Sequence, residues 1–254
     1  MIILLHAFSR TELLLGEEAL AKLAASHVAV FGVGGVGSFT VEGLARCGIG
    51  KLTLVDDDCI CLTNLNRQLP ATTKTIGRPK VEVMRERILD INPKAEVAIH
   101  QKFYLPDSAD ELLTGGYDYI VDAVDTVTAK IDLIVRAKER SIPIISSMGA
   151  GNKLDPTAFE VSDIADTTDC PLARVVRREL RKRGISSVKV VYSREKPLPL
   201  SSTGACGQEC VCPSGSARTC AIRRQVPGSI SFVPSVAGLI MAGEVVKDLI
   251  GISR

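Results

Sequence analysis

His27-Val-Ala-Val-Phe31-Gly32-Val-Gly-Gly-Val-Gly37 is the stretch that decides how this chain folds. Its first five residues form a short apolar run of the kind a buried parallel strand needs, and the glycines follow at once. A helical pattern then continues to about Cys47, and a second apolar run, Lys51-Leu-Thr-Leu-Val55, ends in Asp56, Asp57 and Asp58. With no Cβ in the way, Gly32, Gly34, Gly35 and Gly37 let the chain turn tightly and let a phosphate approach the backbone. The helix that follows presents unpaired N–H groups and the positive end of its dipole to that phosphate. An acid about 20 residues further on, at the tip of the next strand, accepts hydrogen bonds from ribose hydroxyls. Asp56 and its neighbour Asp58 stand there. The expectation is a bound nucleotide, and NAD, FAD and ATP all fit this unit alone.

Outward from this unit, strand and helix keep alternating. A helix is expected from Ser9 to about Ala24, with Ser9 as N-cap and Glu12 completing a capping box. Arg10 falls in its first turn, where the helix dipole disfavours a cation. The polar segment Cys59–Gln68 reads as a loop after a strand's C-terminal end, the edge where open α/β sheets bind ligands. Asn64, Arg67 and Gln68 are therefore placed to reach the nucleotide. Pro79 and Lys80 open a helix whose apolar residues Val81, Met84, Ile88 and Ile91 keep helical spacing, and Asn92-Pro93 stops it. Lys80 is a second cation at the wrong dipole end, which a triphosphate would explain.

Further strands are expected at residues 96–100, 117–122 and 142–146, with helices over 107–113 and 126–140. The alternation predicts an α/β fold, a Rossmann-like mainly parallel sheet with helices on both faces. Asp122 and Asp125 close the strand at 117–122, beside the nucleotide. Asp125 could hold Mg²⁺ against phosphate oxygens, or cap the next helix.

Apolar content of 46% and charged content of 24% are ordinary for a chain with a sizeable core. The first residues lack the basic flank and length of a signal segment, so a cytoplasmic start is expected, and no apolar run is long enough to span a membrane. Net charge of +2 hides an asymmetry, with −7 over residues 1–170 and +9 over residues 171–254. The last third thus has the sign of a surface that meets a polyanion. Leu172, Val176 and Leu180 recur every four residues and can face the core. Arg174, Arg177, Arg178, Arg181 and Lys182 would then fan outward to phosphates, giving affinity without sequence information. A plain solvated helix face, or a partner with an acidic tail, is the competing reading.

Gly32-x-Gly-Gly-Val-Gly37, Asp56, Asn64-x-x-Arg67-Gln68, Gly77-x-Pro-Lys80 and Asp125, in this order, resemble the ATP site of the ThiF-type, ubiquitin-activating-like adenylyltransferases. Within that superfamily the chain is similar to the bacterial tRNA threonylcarbamoyladenosine dehydratases. Ser9–Gly16, Gly48-Ile-Gly50, Gly149-Ala-Gly151, Asp155-Pro-Thr157 and Asp169–Ala173 carry that likeness. The resemblance implies one ThiF-like domain over 1–254. Its nucleotide-binding core would span 9–150, followed by a basic substrate-binding lobe over 151–254 with a cysteine-containing loop (196–228) and a docked C-terminal helix.

It also implies an enzyme that uses ATP to activate the carboxylate of threonylcarbamoyladenosine in tRNA, after which an internal nitrogen displaces AMP and closes a ring. Arg67 and Lys80 would clamp phosphates, Asp56 would bind ribose, Asn64 would contact the phosphates or orient their neighbours, and Asp125 would hold Mg²⁺. Arg10 would enter the site from a partner subunit, which implies a homodimer. A monovalent cation is a further candidate cofactor, and no sulfur-relay partner is legible.

Cys206, Cys210, Cys212 and Cys220 lie close together but lack the paired Cys-x-x-Cys spacing by which related sulfur-carrier adenylyltransferases hold zinc. Zinc, an iron–sulfur centre, a disulfide and free thiols all stay open for them. Two other functions remain in view: an adenylyltransferase acting on a ubiquitin-like carrier, and a nucleotide-binding module without turnover.

Overall fold

The computed structural model describes residues 6–200 and 227–252. Its centre is a seven-stranded sheet of β1 (His27–Phe31), β2 (Lys51–Val55), β3 (Glu96–His100), β4 (Tyr119–Asp122), β5 (Ile144–Ser147), β6 (Phe159–Asp163) and β7 (Lys189–Ser193). The order across the sheet is β3-β2-β1-β4-β5-β7-β6. All neighbours pair in parallel except the edge strand β6, which runs antiparallel to β7. The chain leaves β1 toward β2 and β3, then returns to build β4 on β1's other side. That reversal opens a crevice beyond the C-terminal ends of β1 and β4.

Helices cover both faces, and the strand residues divide between them. Val28 and Val30 of β1 join the core built by α2 (Glu17–Ala25), α3 (Gly37–Arg46), α4 (Lys80–Ile91) and α8 (Phe232–Ile250). Ala29 and Phe31 join the opposite core with α5 (Ala109–Leu112), α6 (Val127–Glu139) and α7 (Pro171–Arg181). A strand covered on both sides needs apolar residues at successive positions, which is why β1 and β2 are mostly apolar. Among the described residues beyond 151, β7 lies against β5 and α8 lies against α3.

Several elements depart from the expected bounds. The first helix is two, α1 (Ser9–Leu15) and α2, because Gly16 takes φ of 86°. Ser9 is not the N-cap: Phe8 holds that position, and the Ser9 hydroxyl is bound to the backbone of His6. Glu12 completes no capping box and pairs with the His6 ring instead. Residues 107–113 form a 3₁₀ turn (Pro106–Ser108) followed by the single-turn α5. Cys206, Cys210, Cys212 and Cys220 lie outside the described residues.

Candidate nucleotide site

A cleft of about 320 Å³ opens at the crevice and is lined by Gly32, Gly34, Gly35, Asp56, Arg67, Lys80 and Asp125, among others. The glycines there are needed for two separate reasons. Gly32 has φ of 86°, and a Cβ on it would meet the Ala123 carbonyl oxygen at 2.7 Å. A Cβ on Gly37 would lie 1.8 Å from the Gly32 carbonyl oxygen, so the first turn of α3 closes onto the end of β1 only with glycine there. Gly37 itself lies behind the surface that lines the cleft.

Asp56 follows β2 with its carboxylate turned back under the glycine turn. Its Oδ2 accepts from the Val33 amide at 2.6 Å and its Oδ1 from the Asp58 amide at 2.9 Å. Burial pushes the Asp56 carboxyl above its ordinary range, against the opposing pull of Lys80. Lys80 opens α4, is 3% exposed, and donates from Nζ to Asp58 Oδ2 at 2.7 Å while lying 3.7 Å from Asp56 Oδ1. The cation at the wrong dipole end is thus held by two carboxylates.

Arg67 reaches the cleft from the loop after β2, with Nη1 donating to Thr63 O and Asn66 Oδ1, each at 2.9 Å. Gln68 also lines the cleft and is 8% exposed, and its Oε1 is the one buried side-chain oxygen without a hydrogen-bond partner among the described residues. A buried acceptor left unpaired is costly to the fold. Asp125 stands on the opposite side of the switch point, just ahead of Thr126, which occupies the N-cap position of α6.

Of the two roles expected for Asn64, the geometry matches the orienting one: its Oδ1 accepts from the Cys61 amide at 3.0 Å and shapes the turn that delivers Arg67. Two other expected contacts are corrected. Asp122 is fully buried behind the cleft, where Oδ2 accepts from Lys130 Nζ at 2.8 Å and from Ser146 Oγ at 2.6 Å. Asp122 acts by accepting from the Val124 amide, in the segment that carries Asp125. Arg177 does not fan outward with Arg174, Arg178, Arg181 and Lys182. Its guanidinium turns in to the Thr167 carbonyl and hydroxyl, at 2.7 and 2.6 Å.

Arg10 is exposed on α1, away from this cleft, and makes no hydrogen bond or ion pair among the described residues. Leu13 and Leu14 on the same helix are 72% and 81% exposed. Sequence reasoning missed Lys102, Phe103 and Tyr104 after β3, and Ser147 to Gly151 at the end of β5, all of which line the cleft. The signal was available, since each stands at the ligand edge of the sheet.

This is the architecture of a nucleotide-binding α/β protein, with charged groups gathered from several loops around one crossover. Residues 8–254 match the ThiF family, and the chain belongs to it. It is 48% identical over 250 residues to the tRNA threonylcarbamoyladenosine dehydratase of Bacillus subtilis, covering 97% of this chain and 96% of that one. The crystal structure of the Escherichia coli tRNA N6-threonylcarbamoyladenosine dehydratase in complex with AMP is similar at a TM-score of 0.84 and 33% identity, over 99% of this chain and 98% of that one. The same enzyme in complex with ATP is similar at a TM-score of 0.82 and 34% identity, over 96% and 94% of the two chains.

Proposed function

We propose that this chain is an ATP-dependent tRNA threonylcarbamoyladenosine dehydratase. The observation that carries the reading is the joining of the glycine turn, Asp56, Arg67, Lys80 and Asp125 in one cleft, in a chain 48% identical to a dehydratase along nearly its whole length. The threonyl carboxylate attacks the α-phosphate of ATP, pyrophosphate leaves, and an internal nitrogen of the same modified base displaces AMP and closes a ring. The two reactants are both anions, so the protein supplies alignment and positive charge rather than a nucleophile of its own.

Lys80 and Arg67 carry that charge, and Asp56 receives the ribose. Oxygen ligands alone suit Mg²⁺, and Asp125 is the residue that would hold it. The ion, once bound, neutralises charge on the phosphate oxygens. Arg10, set beside exposed leucines on α1, belongs to a homodimer in which each copy lends that cation to its partner. Arg174, Arg178, Arg181 and Lys182 form the phosphate-facing surface for tRNA. No helix among the described residues is long and apolar enough to cross a membrane, and we place the reaction in the cytoplasm.

The deciding assay offers purified protein ATP with either threonylcarbamoyladenosine-containing tRNA or a carrier protein ending in Gly-Gly. Pyrophosphate release with the tRNA is expected. Release with the carrier alone would assign the site to a ubiquitin-like substrate, and ATP binding without release would leave a binding module.

A further inference from the structure

Gly149-Ala-Gly151 and the residues after it have no part in the phosphate chemistry above, yet Gly149 to Gly151 form a wall of the same cleft with Met148, Leu172 and Pro227. The residue that braces that wall is Asn152. It takes φ of 57°, the left-handed region that asparagine enters more readily than most residues but that still needs support from its surroundings. The support is a closed ring of hydrogen bonds with Gly228. Asn152 N donates to Gly228 O at 2.8 Å, and Asn152 Oδ1 accepts from Gly228 N at 2.6 Å. The Asn152 carbonyl then accepts from Leu198 N at 2.8 Å.

Two further contacts make this ring a fixture of the cleft. A Cβ on Gly151 would lie 2.7 Å from Cβ of Pro227, so the two walls touch only because residue 151 has no side chain. From the other side, Asn66 Nδ2 donates to the Ser229 carbonyl at 2.9 Å, and Asn66 Oδ1 receives Arg67 Nη1 at 2.9 Å. Residues 227–229 are therefore gripped by Asn152 on one flank and by Asn66 on the other.

We propose that Asn152 is a positioning residue for the second substrate: it sets the wall of residues 227–229 against which the carboxylate-bearing nucleotide of the tRNA lies, while ATP is held elsewhere in the cleft. The assignment rests on the reading under Proposed function. Asn152→Gly keeps the left-handed backbone and removes only the side-chain acceptor, so the fold is retained. The expected result is a KM for threonylcarbamoyladenosine-containing tRNA raised about tenfold, the equivalent of one good hydrogen bond. The kcat and the Kd for ATP should stay within about twofold, and amide exchange at Gly228 should quicken. An unchanged KM, or an ATP affinity that falls in parallel, would overturn the assignment. A wild-type chain that releases no pyrophosphate with this tRNA would sink the parent reading instead. In that case the exchange measurement alone decides the clamp, and an unchanged Gly228 rate rejects it.

Discussion

The Lys80 ammonium sits 2.7 Å from one carboxylate oxygen of Asp58, at the mouth of a cleft built for phosphate. A buried cation held by carboxylates must be shared with, or surrendered to, an arriving triphosphate. Lys80→Ala is expected to lower kcat/KM for pyrophosphate release by about 10²–10³-fold, the scale of removing one preorganised charge at a reacting phosphate. Far-UV circular dichroism should not change, because alanine keeps the backbone bond from residue 80 to the Asp58 carbonyl that starts α4. Normal turnover in this variant would remove Lys80 from the site.

Behind the cleft, Asp122 and Lys130 are both fully buried, with Lys130 also donating to the Ser147 carbonyl at 2.9 Å. Breaking such a pair from one side strands a charge without solvent. Lys130→Met is expected to cost about 3–5 kcal/mol in urea unfolding, and adding Asp122→Asn should restore much of it. Additive losses in the double variant would show that the two groups do not depend on each other.

On α7 the structure separates one arginine from its neighbours. Replacing Arg174, Arg178 and Arg181 by alanine should weaken tRNA binding and flatten its salt slope by about 0.7–0.9 for each phosphate no longer neutralised. Arg177→Ala should leave that slope alone and lower the unfolding temperature, since its guanidinium is committed to Thr167. A filter-binding series in salt distinguishes the two behaviours.

Glu42 links α3 to α4 through Arg87, at 2.6 Å, and is also bound by Arg46 at 2.7 Å. Burial works to raise its carboxyl, but Arg87 and Arg46 together hold it below the ordinary glutamate value of 4.5. A carboxyl depressed by folding stabilises the native state above its unfolded value and loses that contribution as pH falls through the folded one. Stability should therefore decline on acidification below pH 4.5. Glu42→Gln should flatten that decline in urea midpoints measured along the pH series.

The sheet and its first crossover were legible because burial on both faces leaves mostly apolar runs, as in His27–Phe31 and Lys51–Val55. That Asp56, Arg67, Lys80 and Asp125 line one cleft was legible as well, since each stands on a segment at the ligand edge of the sheet. What stayed hidden depends on side-chain direction. Asn64, Arg67 and Gln68 share one loop, yet Asn64 turns to the Cys61 amide while Gln68 keeps an unpaired oxygen buried. Arg177 lies on the helix face bordering Thr167, where a long side chain can bend back to carbonyls that spacing alone does not reveal. The break at Gly16 was likewise invisible, because apolar spacing runs on through a backbone turn that only a positive φ discloses.

Helix α8 ties a distant part of the chain to the glycine turn. Thr40, on the first crossover helix, donates to the Gly238 carbonyl at 3.0 Å, and a Cβ on Gly238 would strike the Val36 carbonyl oxygen at 2.3 Å. The glycine turn and the helix packed beneath it are thus joined across 198 residues of sequence. A stalled nascent chain ending before Phe232 should carry every fingerprint glycine and still fail to retain labelled ATP on a filter. The fingerprint motif is therefore not a self-sufficient unit, because its shape is completed by a segment far along the chain.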